Sequence, residues 1–546
     1  MRLALLQFNP TVGDLAGNAA RLAEHIATAR DRWQADLVVF PELALCGYPP
    51  EDLLLRRGFL DAAERTLREL AGAATGIAAV VGVPWRESGA LYNSAAWLAD
   101  GEIKSLYHKH CLPNYAVFDE RRYFTAGHAP LVMRCADLRV GVIICEDGWF
   151  ASPAKLARGA GAELLVAPNA SPYARGKYAE RLEVMQKRAL ENGIPVAYCN
   201  QVGGQDELVF DGRSLLLAED GRVAHRAAHC REDWVIAEYA TGGGWQVLAP
   251  EAPAATGGEM DEAEEVEAVL ALALRDYLGK NGFSDVVIGL SGGIDSALTA
   301  ALAVKALGAG HVHGVFMPMA ATSKLSAELT AELTGRLGIV CEMVPLAASI
   351  DTVRGALHPV LGELDDSVTA QNLQARLRGM VLMAWSNARG SLLMATGNKS
   401  ELATGYCTLY GDMCGGFAPL KDLLKTAVYR QAAHLNRTSP LIPRGIIDRP
   451  PTAELAPGQL DEKSLLPYAR LDPILERYVE QDQSLAEVIA AGFTEAEVRK
   501  VARLVAVNEY KRRQAPPGPR ISSRAFGRDR RYPITSGWRP DLDRPD

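Results

Sequence analysis

The chain has 546 residues, 48% of them hydrophobic and 23% charged, with a formal net charge of −8. These are values for a soluble globular protein of about two to four domains, and the acidic balance argues against a generic nucleic-acid or membrane-surface binder. No apolar run reaches the roughly 18–20 residues of a membrane span, and nine cysteines without a CxxC pair argue for a reducing cytoplasm and against a disulfide framework or structural zinc site.

The start, Met1 to Pro10, is too short and too soon broken for a secretory signal and reads as a first strand and a turn. Apolar runs at Leu3–Leu6, Leu37–Phe40, Ala78–Val83, Val140–Ile144, Leu164–Ala167 and Pro195–Tyr198 predict strands. Helical periodicity marks Asn18–Trp33, Leu60–Gly72 and Arg181–Asn192. Strands such as Val140–Ile144 are apolar on both faces, as in a covered sheet. Pro, Gly and small residues between Leu248 and Glu262 predict a linker. An amphipathic helix follows over Glu262–Leu278, then a strand at Asp285–Leu290, a glycine loop, and a helix from Ser296 to about Leu307. Gly314–Met317 and Ser391–Ala395 read as further strands of one parallel, doubly wound α/β sheet. The tail from Lys511 holds ten Lys/Arg against four Asp. In an acidic protein that local excess does not predict a nucleic-acid partner.

The loop Leu290-Ser291-Gly292-Gly293-Ile294-Asp295-Ser296 lies between strand and helix. Glycines let backbone N–H groups approach an anion, and the helix N-terminus adds partial positive charge. Ser291 and Ser296 can donate to phosphate oxygens, and Asp295 can cap the helix or hold Mg²⁺. A tight strand–helix turn would use the same glycines, but the full string resembles the SGGxDS signature of ATP pyrophosphatases. No Walker loop or GxGxxG fingerprint is present at this site.

In the first half, Glu42, Lys109 and Cys145 each sit at or near the end of an apolar run. Singly, each has an ordinary reading as a cap, a surface charge or a small core residue. Together they make chemical sense: a thiol nucleophile, a carboxylate to accept its proton and later activate water, and a cation for the oxyanion. The strings Phe40-Pro-Glu-Leu43, Lys109 with Leu112-Pro113, and Cys145-Glu-Asp resemble the nitrilase superfamily. That resemblance implies an N-terminal α-β-β-α sandwich and gives Glu120 the place of a supporting second glutamate. Tyr48, Tyr115, Trp149, Ser171 and Lys177 stand where glutamine-hydrolysing members contact their substrate, although aromatic packing or a turn would also explain several of them.

The second half carries Gln371-Asn-Leu-Gln-Ala-Arg376, Ala395-Thr-Gly-Asn-Lys-Ser-Glu401, Gly405-Tyr-Cys-Thr-Leu-Tyr-Gly-Asp412, Pro451-Thr-Ala-Glu-Leu455 and Lys511-Arg-Arg. In this order they resemble the glutamine-dependent NAD⁺ synthetases across essentially the whole chain. The resemblance implies a glutaminase domain over 1–247, a linker over 248–262 and a synthetase domain over 263–546. It implies ATP contacts at the 290–296 loop, Thr396, Lys425 and Thr452. Deamido-NAD⁺ contacts fall on Asn372, Glu401 and Lys511, and Mg²⁺ ligands on Asp295 and Glu401. Substrates would be ATP, glutamine and deamido-NAD⁺, in a cytoplasmic homo-oligomer. Leu409 and Gly416 depart from a Lys and an Asp of the ammonia-using branch, so roles from that branch do not transfer. Two rivals stay open at this point: another ATP-dependent amidating or thiolating enzyme, and a non-catalytic nucleotide-binding protein.

Overall fold

The computed structural model describes residues 1–250, 260–364, 367–451 and 465–538. The chain divides into two compact units, Met1–Met260 and Asp261–Asp546.

The first unit contains strands β1 (Arg2–Gln7), β2 (Leu37–Val39), β3 (Ala78–Glu87), β4 (Ala90–Ala99), β5 (Glu102–His108), β6 (Leu131–Cys135), β7 (Leu138–Val142), β8 (Leu164–Asn169), β9 (Val196–Asn200), β10 (Val202–Gln205), β11 (Leu208–Asp211), β12 (Leu215–Leu217), β13 (Val223–Arg226), β14 (Asp233–Ala240) and β15 (Gly244–Pro250). Its helices are α1 (Leu15–Asp31), α2 (Arg57–Ala71), α3 (Ala151–Gly159) and α4 (Lys177–Asn192). A seven-stranded sheet runs β15-β14-β1-β2-β3-β4-β5, and a six-stranded sheet runs β13-β12-β9-β8-β7-β6. Period-two alternation builds the layers. Leu3 and Leu5 of β1 share a buried cluster with Val140, Val142, Leu164 and Val166 of the other sheet. Ala4 and Leu6, pointing the opposite way, pack with Leu22, Ile26 and Ala29 of α1 and Leu67 and Leu70 of α2. On the far side, Ala154 and Ala157 of α3 and Met185 and Ala189 of α4 cover Leu165, Ala167 and Val196. The result is the expected α-β-β-α sandwich.

The second unit opens with α5 (Glu262–Lys280), then β16 (Val286–Leu290), α6 (Ile294–Leu307), β17 (Val312–Phe316), α7 (Lys324–Leu337), β18 (Val340–Met343), α8 (Ala347–Leu361), α9 (Val368–Arg389), β19 (Leu392–Met394), α10 (Lys399–Thr404) and α11 (Lys425–Thr438). All strand pairs are parallel in the order β18-β17-β16-β19. The order reverses between β16 and β19, so a crevice opens beyond their carboxyl ends, where open α/β sheets bind ligands. Val287, Val315 and Leu393 pack with Ile350 of α8 and Leu377 of α9 on one face. Edge strand β18 has no counterpart among the strands expected from sequence. Val340, Glu342 and Met343 are exposed, so the strand carries little apolar signal.

Among the described residues, several arginines of the basic tail are held by internal ion pairs. Arg512 and Arg530 share Glu509, and Arg520 pairs with Asp529. Buried Lys399 pairs with Asp422 and Glu480 at 2.7 Å each and donates to Ser522 Oγ and the Arg524 carbonyl, which ties the tail to α10.

Candidate active sites

In the first unit the carboxyl ends of β2, β5 and β7 deliver Glu42, Lys109 and Cys145. Glu42 follows β2 on a turn that packs directly on Gly82 of β3. A Cβ at Gly82 would lie 2.1 Å from the Leu43 nitrogen, so only glycine permits that approach. Lys109 extends the β4–β5 ladder, its N–H donating to the Asn93 carbonyl at 2.9 Å. Cys145 opens a short turn with φ +45°, a strained left-handed position of the kind that accumulates at functional sites.

The side chains form a closed polar cluster. Lys109 Nζ donates to Glu42 Oε1 at 2.7 Å and to Glu120 Oε1 at 2.8 Å. Asn93 Nδ2 donates to Glu42 at 2.7 Å, and the Ala170 N–H donates to the other Glu42 oxygen at 3.0 Å. Tyr48 donates its hydroxyl to Glu120 at 2.9 Å. Glu42, Lys109, Glu120 and Cys145 are all buried. Burial works against the Lys109 cation, but Glu120 and Glu42 more than offset it and hold its pKa well above the ordinary value. Burial pushes the Cys145 thiol well up, Glu42 adds to this, and Lys109 opposes it. Burial thus favours the neutral thiol at Cys145.

Sequence reasoning missed two members. Asn93 bridges Glu42 and, more loosely, Glu120. Asp147, in the string Cys145-Glu-Asp, accepts from the N–H groups of Ile144, His110 and Cys111 and from the Tyr107 hydroxyl. It fastens the cysteine turn to the lysine loop.

The expected glutamine contacts divide. Tyr115 lines a cavity of about 620 Å³ with Glu146, Arg121 and Phe150. Lys177, at the start of α4, holds its ammonium 4.0 Å from the Trp149 ring centre and pairs with Glu180 at 2.9 Å. Ser171 follows β8, its N–H donating to Asn200 Oδ1 at 3.0 Å. Tyr48, Trp149, Ser171 and Lys177 are not among the residues lining that cavity.

In the second unit a cavity of about 730 Å³ opens at the switch point. Leu290, Ser291, Gly293, Ile294, Asp295, Ser296, Thr396, Glu401, Lys425, Asn372 and Lys511 all line it. Gly292 turns behind them with φ +75°, where a Cβ would lie 2.8 Å from the Ser326 carbonyl oxygen. Helix α6 begins at Ile294 without a side-chain cap, leaving its positive end to face an anion. Ser291 Oγ accepts from the Gly293 N–H at 3.2 Å and lies 3.2 Å from Ser296 Oγ.

Lys425 pairs with Asp295, and with Glu401 at 3.4 Å. Asn398 donates to Asp295 at 2.9 Å and forms a reciprocal capping box with Glu401. Asn372 accepts from the Thr408 hydroxyl at 2.9 Å. Lys511 donates to the Gly405 and Cys407 carbonyls at 2.7 and 2.8 Å, fixing the turn that forms one wall. Thr452 lies outside the described residues. Asn398, Arg378, Arg449 and Asp412 also belong to this site or its lining and were not singled out from sequence. Arg449 donates to Ser326 Oγ at 2.7 Å, beside the glycine loop.

The carbon-nitrogen hydrolase family matches residues 2–242, and the NAD synthase family matches residues 266–515. A glutamine-dependent NAD(+) synthetase from Xanthomonas campestris pv. campestris is 49% identical over 542 residues, covering 98% of each chain. The solved glutamine-dependent NAD⁺ synthetase from Acinetobacter baumannii, in complex with adenosine diphosphate, is 42% identical with a TM-score of 0.79. That match covers 98% of this chain and 99% of that one. The enzyme of the same name from Cytophaga hutchinsonii, at 22% identity, TM-score 0.84 and 98% coverage of both chains, shares the fold. With both halves matched in order and close relatives spanning its length, the chain belongs to the glutamine-dependent NAD⁺ synthetase family.

Proposed function

We propose that residues 1–247 hydrolyse glutamine and residues 263–546 use the ammonia to make NAD⁺ from deamido-NAD⁺ and ATP; the linker expected over 248–262 is shortened at its two ends, where β15 runs to Pro250 and α5 starts at Glu262. The observation carrying this reading is the buried Glu42–Lys109–Glu120 cluster at Cys145 in the same chain as a glycine-loop cavity lined by Asp295, Glu401 and Lys425.

At the first site the Cys145 sulfur attacks the glutamine side-chain carbonyl carbon as Glu42 takes the thiol proton. Lys109 stabilises the oxyanion of the tetrahedral intermediate. Glu42 returns the proton to the leaving nitrogen, the C–N bond breaks, and ammonia departs from a thioester. Glu42 then activates water, which releases glutamate and restores the thiol. Glu120, Asn93 and Tyr48 hold the base and the cation in place. The proposed substrate contacts are Tyr48, Tyr115, Trp149, Ser171 and Lys177, with Tyr48 acting at the floor through Glu120.

At the second site the nicotinate carboxylate of deamido-NAD⁺ attacks the α-phosphorus, breaking its bond to the bridging oxygen and releasing diphosphate. Ammonia attacks the acyl adenylate and AMP leaves. The 290–296 loop and the α6 terminus hold the phosphates, with Lys425, Thr396 and Thr452 as further ATP contacts. Asn372, Glu401 and Lys511 meet deamido-NAD⁺. Two carboxylates near a phosphate loop suit Mg²⁺, which takes one or two carboxylates plus phosphate oxygens. Asp295 and Glu401 would hold it, and it would neutralise phosphate charge.

The chain acts as a cytoplasmic homo-oligomer in this reading. All nine cysteines are free thiols. Val368, Met380 and Met383 of α9 are exposed apolar side chains that a second copy would cover. Among the described residues no helix is long and apolar enough to cross a membrane. Incubating the purified chain with deamido-NAD⁺, ATP, Mg²⁺ and glutamine tests the reading: NAD⁺ and AMP should form in equal amounts. ATP turnover without NAD⁺ would favour another amidating enzyme.

A further inference from the structure

The residue before Lys109 makes a second set of contacts that the thiol chemistry does not use. His108 closes β5, the edge strand of the seven-stranded sheet. It stands opposite Ser94 of β4, so the next pair out is Asn93 opposite Lys109, joined by their backbone bond. Side chains alternate faces along a strand. Asn93 and Lys109 reach Glu42 on one side, while Ser94 and His108 meet on the other. The His108 ring is held at both nitrogens: Nε2 lies 2.8 Å from Glu87 Oε2 and Nδ1 lies 2.7 Å from Ser94 Oγ. An ionised carboxylate only accepts, so in the neutral ring Nε2 carries the proton and the Ser94 hydroxyl donates to Nδ1. Tyr92 stacks on the ring, with centres 4.1 Å apart and planes 17° apart. Glu87 faces solvent, so its pairing adds little. Ser94 is fully buried, where losing a hydroxyl's partner is costly.

An edge strand is paired on one side only, and the β4–β5 pair already shifts register between Trp97 and Leu98. A one-residue slip at this end would turn Lys109 to the other face and away from Glu42. We propose that His108 is a positioning residue of the first site: its bond to Ser94 across the last rung of β5 fixes the register that aims Lys109 and Asn93 at Glu42. Glu87 sets the tautomer that lets the ring accept from Ser94, and Tyr92 holds the ring in plane. The inference rests on the glutaminase reading and deepens it, because the attack of the thiol requires no histidine.

Steady-state NAD⁺ synthesis by His108→Ala, His108→Asn and Ser94→Ala tests this. Asparagine carries its side-chain oxygen close to the place of Nδ1, where it can accept from Ser94. With glutamine, His108→Ala should lose about 10-fold or more in kcat at an unchanged KM, the pattern of displaced groups that act on the transition state. His108→Asn should recover much of that loss, and Ser94→Ala should show the loss with the ring intact. With ammonia all three should keep the wild-type rate, which reports an intact fold. The proposal is overturned if kcat with glutamine survives in His108→Ala and Ser94→Ala, if the loss falls on KM alone, if His108→Asn is no better than His108→Ala, or if both nitrogen sources fall together. Should His108→Ala not fold, the kcat of Ser94→Ala decides alone. A wild-type chain that makes no NAD⁺ from glutamine would instead overturn the glutaminase reading itself.

Discussion

Asp147 gives a prediction that can be worked through atom by atom. Its Oδ1 accepts from the His110 and Cys111 N–H groups at 3.0 and 2.8 Å, and its Oδ2 from the Ile144 N–H and the Tyr107 hydroxyl at 2.9 and 2.8 Å. Asp147→Asn keeps the shape but replaces one oxygen with a donor. The best orientation turns the new NH₂ toward Tyr107, whose hydroxyl can reverse and accept. The Ile144 N–H then faces a donor. That group lies one residue before Cys145, so the damage falls on the nucleophile's turn. One lost bond to a charged acceptor, plus weaker bonds to the rest, costs about 2–4 kcal/mol. For a unit of this size that is roughly 5–15 °C in Tm. A displaced nucleophile should lower glutamine-driven kcat/KM by about 100-fold. The assay pairs thermal unfolding with NAD⁺ formation from glutamine and from ammonia. Ammonia-driven synthesis should be spared. A variant with wild-type glutamine activity, or equal losses from both nitrogen sources, would refute the role given to Asp147.

Two other perturbations probe different parts of the chain. Gly292→Ala puts a methyl 2.8 Å from the Ser326 carbonyl at a φ of +75°, adding about 1–2 kcal/mol of backbone strain before any clash. Glutamine- and ammonia-driven synthesis should fall together with a raised KM for ATP, and an unchanged KM would contradict the loop's assignment. Burial pushes the Glu120 carboxyl up to about 7, with Lys109 pulling it down and Glu42 pushing it up. An unfolded glutamate titrates near ~4.3, so between these values the folded chain holds a proton the unfolded chain has released. Stability relative to Glu120→Gln should therefore fall as pH rises through that window, by on the order of 3 kcal/mol. Urea unfolding from about pH 4.5 to 7.5 checks the sign, and a flat difference would remove Glu120 as the titrating group.

How much of the site the sequence reveals depends on how local each residue's role is. The glycine loop is legible because strand, turn and helix cap are contiguous. Glu42, Lys109 and Cys145 are legible because each ends an apolar run within a recognisable string. Asn93 is not. It sits within β4, and only the β3–β4–β5 register brings it opposite Lys109. Asp147 stands in a quoted string, but its partners are Ile144 beside it and, from far along the chain, Tyr107 of β5 and the His110 and Cys111 N–H groups of the loop that follows. Lys511 lines the expected cavity while also clamping two backbone carbonyls, a structural duty no spacing reveals. The tail's surplus of arginines is visible in the sequence, but the carboxylates that hold Arg512, Arg520 and Arg530 are seen only in the fold. Edge strand β18, too exposed to carry an apolar run, shows the same limit at the level of secondary structure.

The central claim is a division of labour between two sites in one chain. It is tested most directly by measuring NAD⁺ formation by wild type and Cys145→Ala with glutamine and, separately, with ammonium salt. The account predicts that Cys145→Ala makes no NAD⁺ from glutamine and keeps the wild-type rate with ammonia. Loss of both activities, or survival of the glutamine-driven one, would contradict it.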